Sequence, residues 1–181
     1  MEKRTKFHPI MDGKKQSVLP TVNDQHGRTF NYLRIAVNEY CNLRCIYCMP
    51  EEGIPFRKKS QLLSKDEIKR LLSAASSLGV SKIRFTGGEP LLRPDIPKLV
   101  KHAKNLCGIN SVHLTTNGTL LHHYLDKLEN AGLSGINISL DTLQPDRFKS
   151  ITRRSGLERV MENIYMDPHT TPVSYTHLRA H

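Results

Sequence analysis

The chain has 181 residues, enough for one domain with a sizeable buried core, and its 27 Lys and Arg against 17 Asp and Glu give a formal charge of +10. A lysine-rich solvated surface would produce the same balance, but if it marks a partner that partner is anionic, and with 6% aromatic residues and no basic run interleaved with aromatics a small polyphosphate fits better than nucleic acid. No apolar run reaches the length of a membrane span and the N-terminus lacks the apolar core of a secretory signal, which predicts a cytoplasmic chain with no membrane partner.

Residues 1–21 carry many lysines and few acids and are read as a poorly ordered leader. From Val22 to Arg28 turn formers deliver the chain into a first strand, predicted over Tyr32–Val37, and then into the loop Cys41-Asn-Leu-Arg-Cys45-Ile-Tyr-Cys48. Three cysteines at spacings of four and three can wrap their thiolates around one inorganic centre. A structural zinc site wants four closed ligands, and no second pair accompanies these. Cys107 follows Val100, Ala103 and Leu106 at helical spacing and is expected to be a buried small hydrophobe. A four-iron cluster held by three thiolates would leave one iron open to a ligand, which implies chemistry; a zinc or electron-carrier loop is the alternative. Clustered free thiolates also call for a reducing compartment.

Ser64 and Glu67 form a capping box ahead of Ile68, Leu71, Leu72, Ala75 and Leu78, a helical repeat that Gly79 stops. The order strand, loop, helix then recurs. Strand Lys82–Thr86 leads through Gly87-Gly88-Glu89-Pro90 to a helix marked by Ile96, Leu99, Val100, Ala103 and Leu106. Strand Ser111–Thr116 leads through the Asn117-Gly118 turn to a helix carrying Leu121, Tyr124, Leu125, Leu128 and Ala131. Gly135–Leu140 is the fourth strand, and Leu157, Val160, Met161 and Ile164 mark the last clear helix. The alternation predicts an α/β fold with a parallel sheet and right-handed crossovers, either doubly wound or part of a barrel. No GxGxxG fingerprint supports a dinucleotide fold.

Side chains alternate between the faces of a strand, so parity sorts them. One face takes Leu33, Ile35, Val37, Ile83, Phe85, Val112, Leu114, Ile136, Ile138 and Leu140, and should meet the helices. The other takes Arg34, Lys82, Arg84, His113, Thr115, Asn137, Ser139 and Asp141. A barrel interior is ordinarily filled by branched apolar residues, so this polar face predicts a wet ligand cavity. Arg34, Lys82 and Arg84 would be costly there without an anion, and Asp141 alone cannot match three bases.

The CxxxCxxC spacing with Tyr47 before the last cysteine resembles the cluster loop of the radical S-adenosylmethionine (SAM) enzymes. The wider string from Tyr32 through Val37, the cysteines and Met49-Pro-Glu-Glu-Gly53 is similar, more narrowly, to the GTP 3',8-cyclase family of molybdenum cofactor biosynthesis. The resemblance runs from about Val22 to Asn163 and implies a partial (β/α)6 TIM-like barrel of about four βα units over residues 22–166. It implies that Cys41, Cys45 and Cys48 hold a [4Fe-4S] cluster, that Tyr47, Gly88 and Ser139 bind SAM, and that Arg34, Arg84 and Thr115, with Lys82 as a secondary candidate, bind GTP. Gly87 and Gly88 would let a ligand approach the backbone, although two glycines before Glu-Pro could be only a turn, and for Ser139 taken alone a structural hydroxyl is as good a reading. The implied chemistry is homolysis of SAM by the reduced cluster, abstraction of the ribose 3' hydrogen of GTP by the deoxyadenosyl radical, and closure onto C8 of guanine. No side chain then has to be the primary oxidant. The resemblance further implies a second cluster in a C-terminal segment, an electron donor such as flavodoxin or ferredoxin, and homodimerisation as an option.

The chain departs from the family after Ile164. Residues 167–181 are expected to lack the fifth strand and to be a non-native tail, because Val173-Ser-Tyr-Thr-His-Leu-Arg-Ala-His181 looks like the translation of a sequencing adapter. The expected end of the authentic protein is at or shortly before Pro172, which would leave the fourth strand with an open edge. Two alternatives stand beside the cyclase reading: a radical SAM enzyme with a different substrate, and a non-catalytic iron–sulfur or zinc protein.

Overall fold

The computed structural model describes residues 21–165 and 173–175. A short antiparallel hairpin, β1 (Val22–Asn23) and β2 (Thr29–Phe30), precedes the sheet. The sheet is parallel, in the order β3 (Tyr32–Ala36), β4 (Lys82–Thr86), β5 (Ser111–Thr116), β6 (Gly135–Ile138) and β7 (Val173–Tyr175). Helices α1 (Lys65–Ser77), α2 (Ile96–Lys104), α3 (Leu125–Asn130), α4 (Pro145–Thr152) and α5 (Leu157–Tyr165) make the crossovers. This is the expected α/β architecture, four βα units of a TIM-like barrel followed by one more strand.

That fifth strand corrects the expectation that none would follow Ile164. Val173-Ser-Tyr175 pairs in parallel register with Ile136, Asn137 and Ile138, so the outer edge of β6 is not open. A β-branched residue and an aromatic flanking a serine suit a strand, and the unpaired amides and carbonyls of β6 give it a template. The expected leader over residues 1–21 falls outside the described residues except for Thr21, as does the expected tail except for Val173–Tyr175. Among the described residues no helix is long and apolar enough to cross a membrane.

Parity sorts the sheet as expected. Ile83, Phe85, Val112, Leu114 and Ile136 are completely buried against Ile68 and Leu72 of α1, Leu99 and Val100 of α2 and Leu128 of α3. The Ser64 and Glu67 capping box is formed at the start of α1. Such a cap is worth ~1 kcal/mol, whereas burying Ile68 and Leu72 contributes roughly 1.5–3 kcal/mol each, so the cap sets where α1 begins and packing holds it there. Leu71 and Leu78, expected on the same face, are exposed. Cys107 is exposed as well, not buried: α2 ends at Lys104, so the helical spacing no longer governs the residues after it.

Candidate functional site

The loops that leave the carboxyl ends of the strands carry the polar groups, as in other TIM-like barrels. After β3 the chain runs into the cysteine loop, whose first residues are held by the loop after β4. Gly88 donates its backbone N–H to Asn38 O at 3.1 Å, Glu89 donates to Tyr40 O at 2.6 Å, and the Asn38 side-chain amide returns to Glu89 O at 3.0 Å. The glycines are needed for this contact. A Cβ on Gly87 would stand 2.5 Å from Asn38 O, and one on Gly88 would overlap the Tyr40 carbonyl. The close approach expected between Gly87-Gly88 and a ligand is thus made, at least in part, by the chain's own cysteine loop.

Glu89 is buried beneath that junction. Its carboxylate accepts from Leu91 N at 3.0 Å, the Thr116 hydroxyl at 2.7 Å and Asn117 N at 2.8 Å, which ties the loop after β4 to the end of β5. Burial pushes its pKa above the ordinary value, and these donors pull it back down. Asn117 then reaches the cysteine loop, donating to Asn42 Oδ1 at 2.8 Å and standing 3.9 Å from Cys41 Sγ. Further along, the loop amides of Arg44 and Ile46 donate to the last carbonyls of α4, Thr152 O and Ile151 O, both at 2.9 Å. The cysteine loop is therefore gripped from β4, β5 and α4.

Cys41, Cys45 and Cys48 line one cavity of about 200 Å³ together with Tyr47, Gly88, Thr115 and Ser139. Six of the residues singled out in the sequence for metal and SAM thus meet Thr115, singled out for GTP. Arg34, Arg84 and Lys82 are not on that wall; they lie farther down the same sheet face, with Arg34 directly beside Arg84 in the β3–β4 register. Two buried polar atoms on this face have no hydrogen-bond partner, Arg84 Nε and Thr115 Oγ1. None of the ion pairs among the described residues uses Arg34, Lys82 or Arg84. Asp141 does not neutralise them: its carboxylate accepts from the Tyr47 hydroxyl at 2.7 Å. A larger cavity of about 550 Å³ lies between Leu62–Ser64 and Arg93–Asp95, away from every residue singled out for metal, SAM or GTP.

Three cysteine thiols on one cavity wall are a donor set that an iron–sulfur cluster could use. Among the described residues no three Cys, His, Asp or Glu side chains are gathered tightly enough for one metal ion, yet the three cysteines face one cavity. Burial pushes the Cys41 and Cys45 thiols up, and neighbouring cysteines raise them further, so they need a strong positive centre to become thiolates. Sequence reasoning had treated Asn117 only as a turn former, had assigned Glu89 no role, and had missed Phe148 and Thr152 of α4 on the cavity wall.

The sequence model of the radical SAM superfamily matches residues 35–166, and the chain belongs to this superfamily of enzymes. Within it, the chain is similar to the GTP 3',8-cyclase of Clostridium botulinum, at 48% identity over 141 residues covering 78% of this chain and 44% of the relative. The GTP 3',8-cyclase of Peptoclostridium acidaminophilum is 50% identical over 141 residues, 78% of this chain and 43% of its own. Human molybdenum cofactor biosynthesis protein 1 is 50% identical over 144 residues, 80% of this chain and 23% of its own. The chain therefore spans less than half the length of these relatives. Among solved structures, anSMEcpe with bound AdoMet has a TM-score of 0.62 at 17% identity, covering 80% of this chain and 42% of that one. BtrN with AdoMet and 2-DOIA has a TM-score of 0.56 at 22% identity, covering 82% and 56%. These two likenesses concern the fold.

Proposed function

We propose that the chain is the barrel portion of a GTP 3',8-cyclase, which converts GTP to 3',8-cyclo-7,8-dihydro-GTP for molybdenum cofactor synthesis. The observation that carries this reading is the pairing of one cysteine-lined cavity with a cationic row whose Arg84 Nε is buried and unpartnered. A guanidinium left so is costly unless a ligand oxygen completes it, and phosphate oxygens suit its planar fork. The curated relatives named for GTP cyclisation support the same substrate.

In this reading Cys41, Cys45 and Cys48 hold a [4Fe-4S] cluster, which when bound and reduced supplies the electron that cleaves SAM to methionine and a 5'-deoxyadenosyl radical. Tyr47, Gly88 and Ser139 bind SAM beside it. Thr115 offers its unpartnered hydroxyl to GTP, while Arg34 and Arg84, aided by Lys82, take the phosphates. The protein's contribution is positioning: ribose must lie within reach of the SAM carbon, with water excluded by the loops that Glu89 and Asn117 knit together. A flavodoxin or ferredoxin is the fitting donor, and the reducing cytoplasm the fitting compartment.

The test is anaerobic reconstitution of the full chain with iron and sulfide, followed by SAM and GTP binding and SAM cleavage. Cluster formation with binding of both ligands is expected. A chain that takes up one zinc ion and binds neither ligand overturns the reading, and one that cleaves SAM without binding GTP moves it to a different substrate.

A further inference from the structure

One titratable group on the polar face has no role so far. His113 of β5 lies directly beside Arg84 of β4, which lies directly beside Arg34 of β3, so that a single register line crosses three strands as Arg34, Arg84 and His113. On its other side the partner is Gly135 of β6, which contributes no side chain. Side chains on one register line of a parallel sheet stand about one strand spacing apart, ~4.8 Å, within the span of a polyphosphate.

The charges acting on His113 are cations of β4 and α2. Lys82 and Arg84 act on it from β4, Lys104 of α2, whose ammonium donates to Asn110 O and Ser134 Oγ, adds the weakest of the three charges, and β6 offers Asn137 and no charge until Asp141, which is engaged by Tyr47. Burial is the larger effect and these three cations add to it, holding the imidazole below its ordinary 6.5 and hence neutral at physiological pH. A polyanion in the row works against both: its negative charge offsets the cations, and its oxygens accept an imidazolium N–H, which compensates for the burial.

We propose that His113 is a fourth anion-binding residue beside Arg34, Lys82 and Arg84, engaging a polyphosphate as the imidazolium so that binding takes up a proton. The inference rests on the assignment of this face to the GTP phosphates and adds a pH dependence to it. Between the pKa of His113 in the free chain, below 6.5, and its pKa in the complex, affinity weakens by up to ~tenfold per pH unit. The terminal phosphate's own ionisation acts oppositely, strengthening attraction to Arg and Lys as pH rises, so the comparison has to be made against a variant.

The experiment is calorimetric titration of the full chain with GTP and with inorganic tripolyphosphate, from about pH 6 to about pH 8.5, in buffers of different ionisation enthalpy. Wild type should take up as much as one proton per ligand and lose affinity with rising pH. His113→Gln should lose the uptake and the decline, and His113→Lys should keep binding tight at the alkaline end. Identical pH profiles in wild type and His113→Gln overturn the role of His113 while leaving the phosphate assignment standing. Absence of binding by either ligand at every pH overturns both. If a variant fails to fold, the His113 ring-proton resonances of wild type decide the matter: an unchanged titration midpoint on adding tripolyphosphate overturns the inference.

Discussion

The Thr116 hydroxyl donates to the Glu89 carboxylate at 2.7 Å, and both side chains are buried. Because Glu89 also takes the backbone N–H groups of Leu91 and Asn117, every neighbour it has is a donor. Glu89→Gln would turn one accepting atom into an N–H aimed at another donor, which costs ~1–3 kcal/mol. Burial raises the Glu89 pKa above 4.5, and its three donors work against that by favouring the carboxylate. Urea titrations at neutral pH should show Glu89→Gln less stable than wild type by that amount. An unchanged stability would refute this assignment.

The Tyr47 hydroxyl donates to Asp141 at 2.7 Å, joining the cysteine loop to the residue three beyond the end of β6. Burial of part of the side chain, and then this bond, push the phenol's pKa up although most of the residue is exposed. The bond orients a ring that is otherwise largely exposed. Asp141→Asn and Tyr47→Phe should each weaken SAM binding by about tenfold, and together by no more than either alone, since they remove one interaction. Iron content after reconstitution should not change. Additive losses in the double variant would show that the two residues act separately.

Much of the fold is legible in the sequence where the two periodicities are clean. Lys82–Thr86 and Ser111–Thr116 alternate strictly, and both strands form with those bounds. α4 was not legible because it has eight residues and buries only Phe148 and Thr152, too few points to define a helical stripe; Pro145 at its first turn, followed by Asp146, was the available signal. The cysteines, the cationic row and the flanking hydroxyls could be read as candidates from residue type and parity. The fastening of the site could not: that Glu89 turns inward, or that Asn117 reaches Asn42, depends on contacts between segments 27 and 75 residues apart.

Gly88 and Ser139 are both proposed to bind SAM, and they should fail in different ways. A Cβ at Gly88 strikes the Tyr40 backbone, which cannot retreat without moving the cysteine loop. Gly88→Ala is therefore expected to destabilise the chain by ~1–3 kcal/mol and to lower iron uptake along with SAM binding. Ser139 is exposed and lines the cavity, so Ser139→Ala should leave thermal stability and iron content unchanged and weaken SAM binding alone. Equal losses of stability in the two variants would assign Ser139 to the frame instead of the ligand.

Arg84 sets stability against binding. Its Nε is buried without a partner, no carboxylate among the described residues pairs with it, and Arg34 and Lys82 add like charge nearby. Replacing a partly buried, unpaired cation by an apolar side chain of similar reach removes a desolvation and repulsion cost, so Arg84→Met should stabilise the ligand-free chain by ~0.5–2 kcal/mol. The same change should weaken GTP binding at least ~tenfold, because the guanidinium fork is lost where phosphate oxygens would complete it. Arg84→Lys should fall between the two, keeping the charge and losing the fork. Thermal melts and GTP titrations on the three proteins separate the terms: a destabilised Arg84→Met would mean that Arg84 is already satisfied within the fold, and undiminished GTP affinity would remove it from the phosphate site.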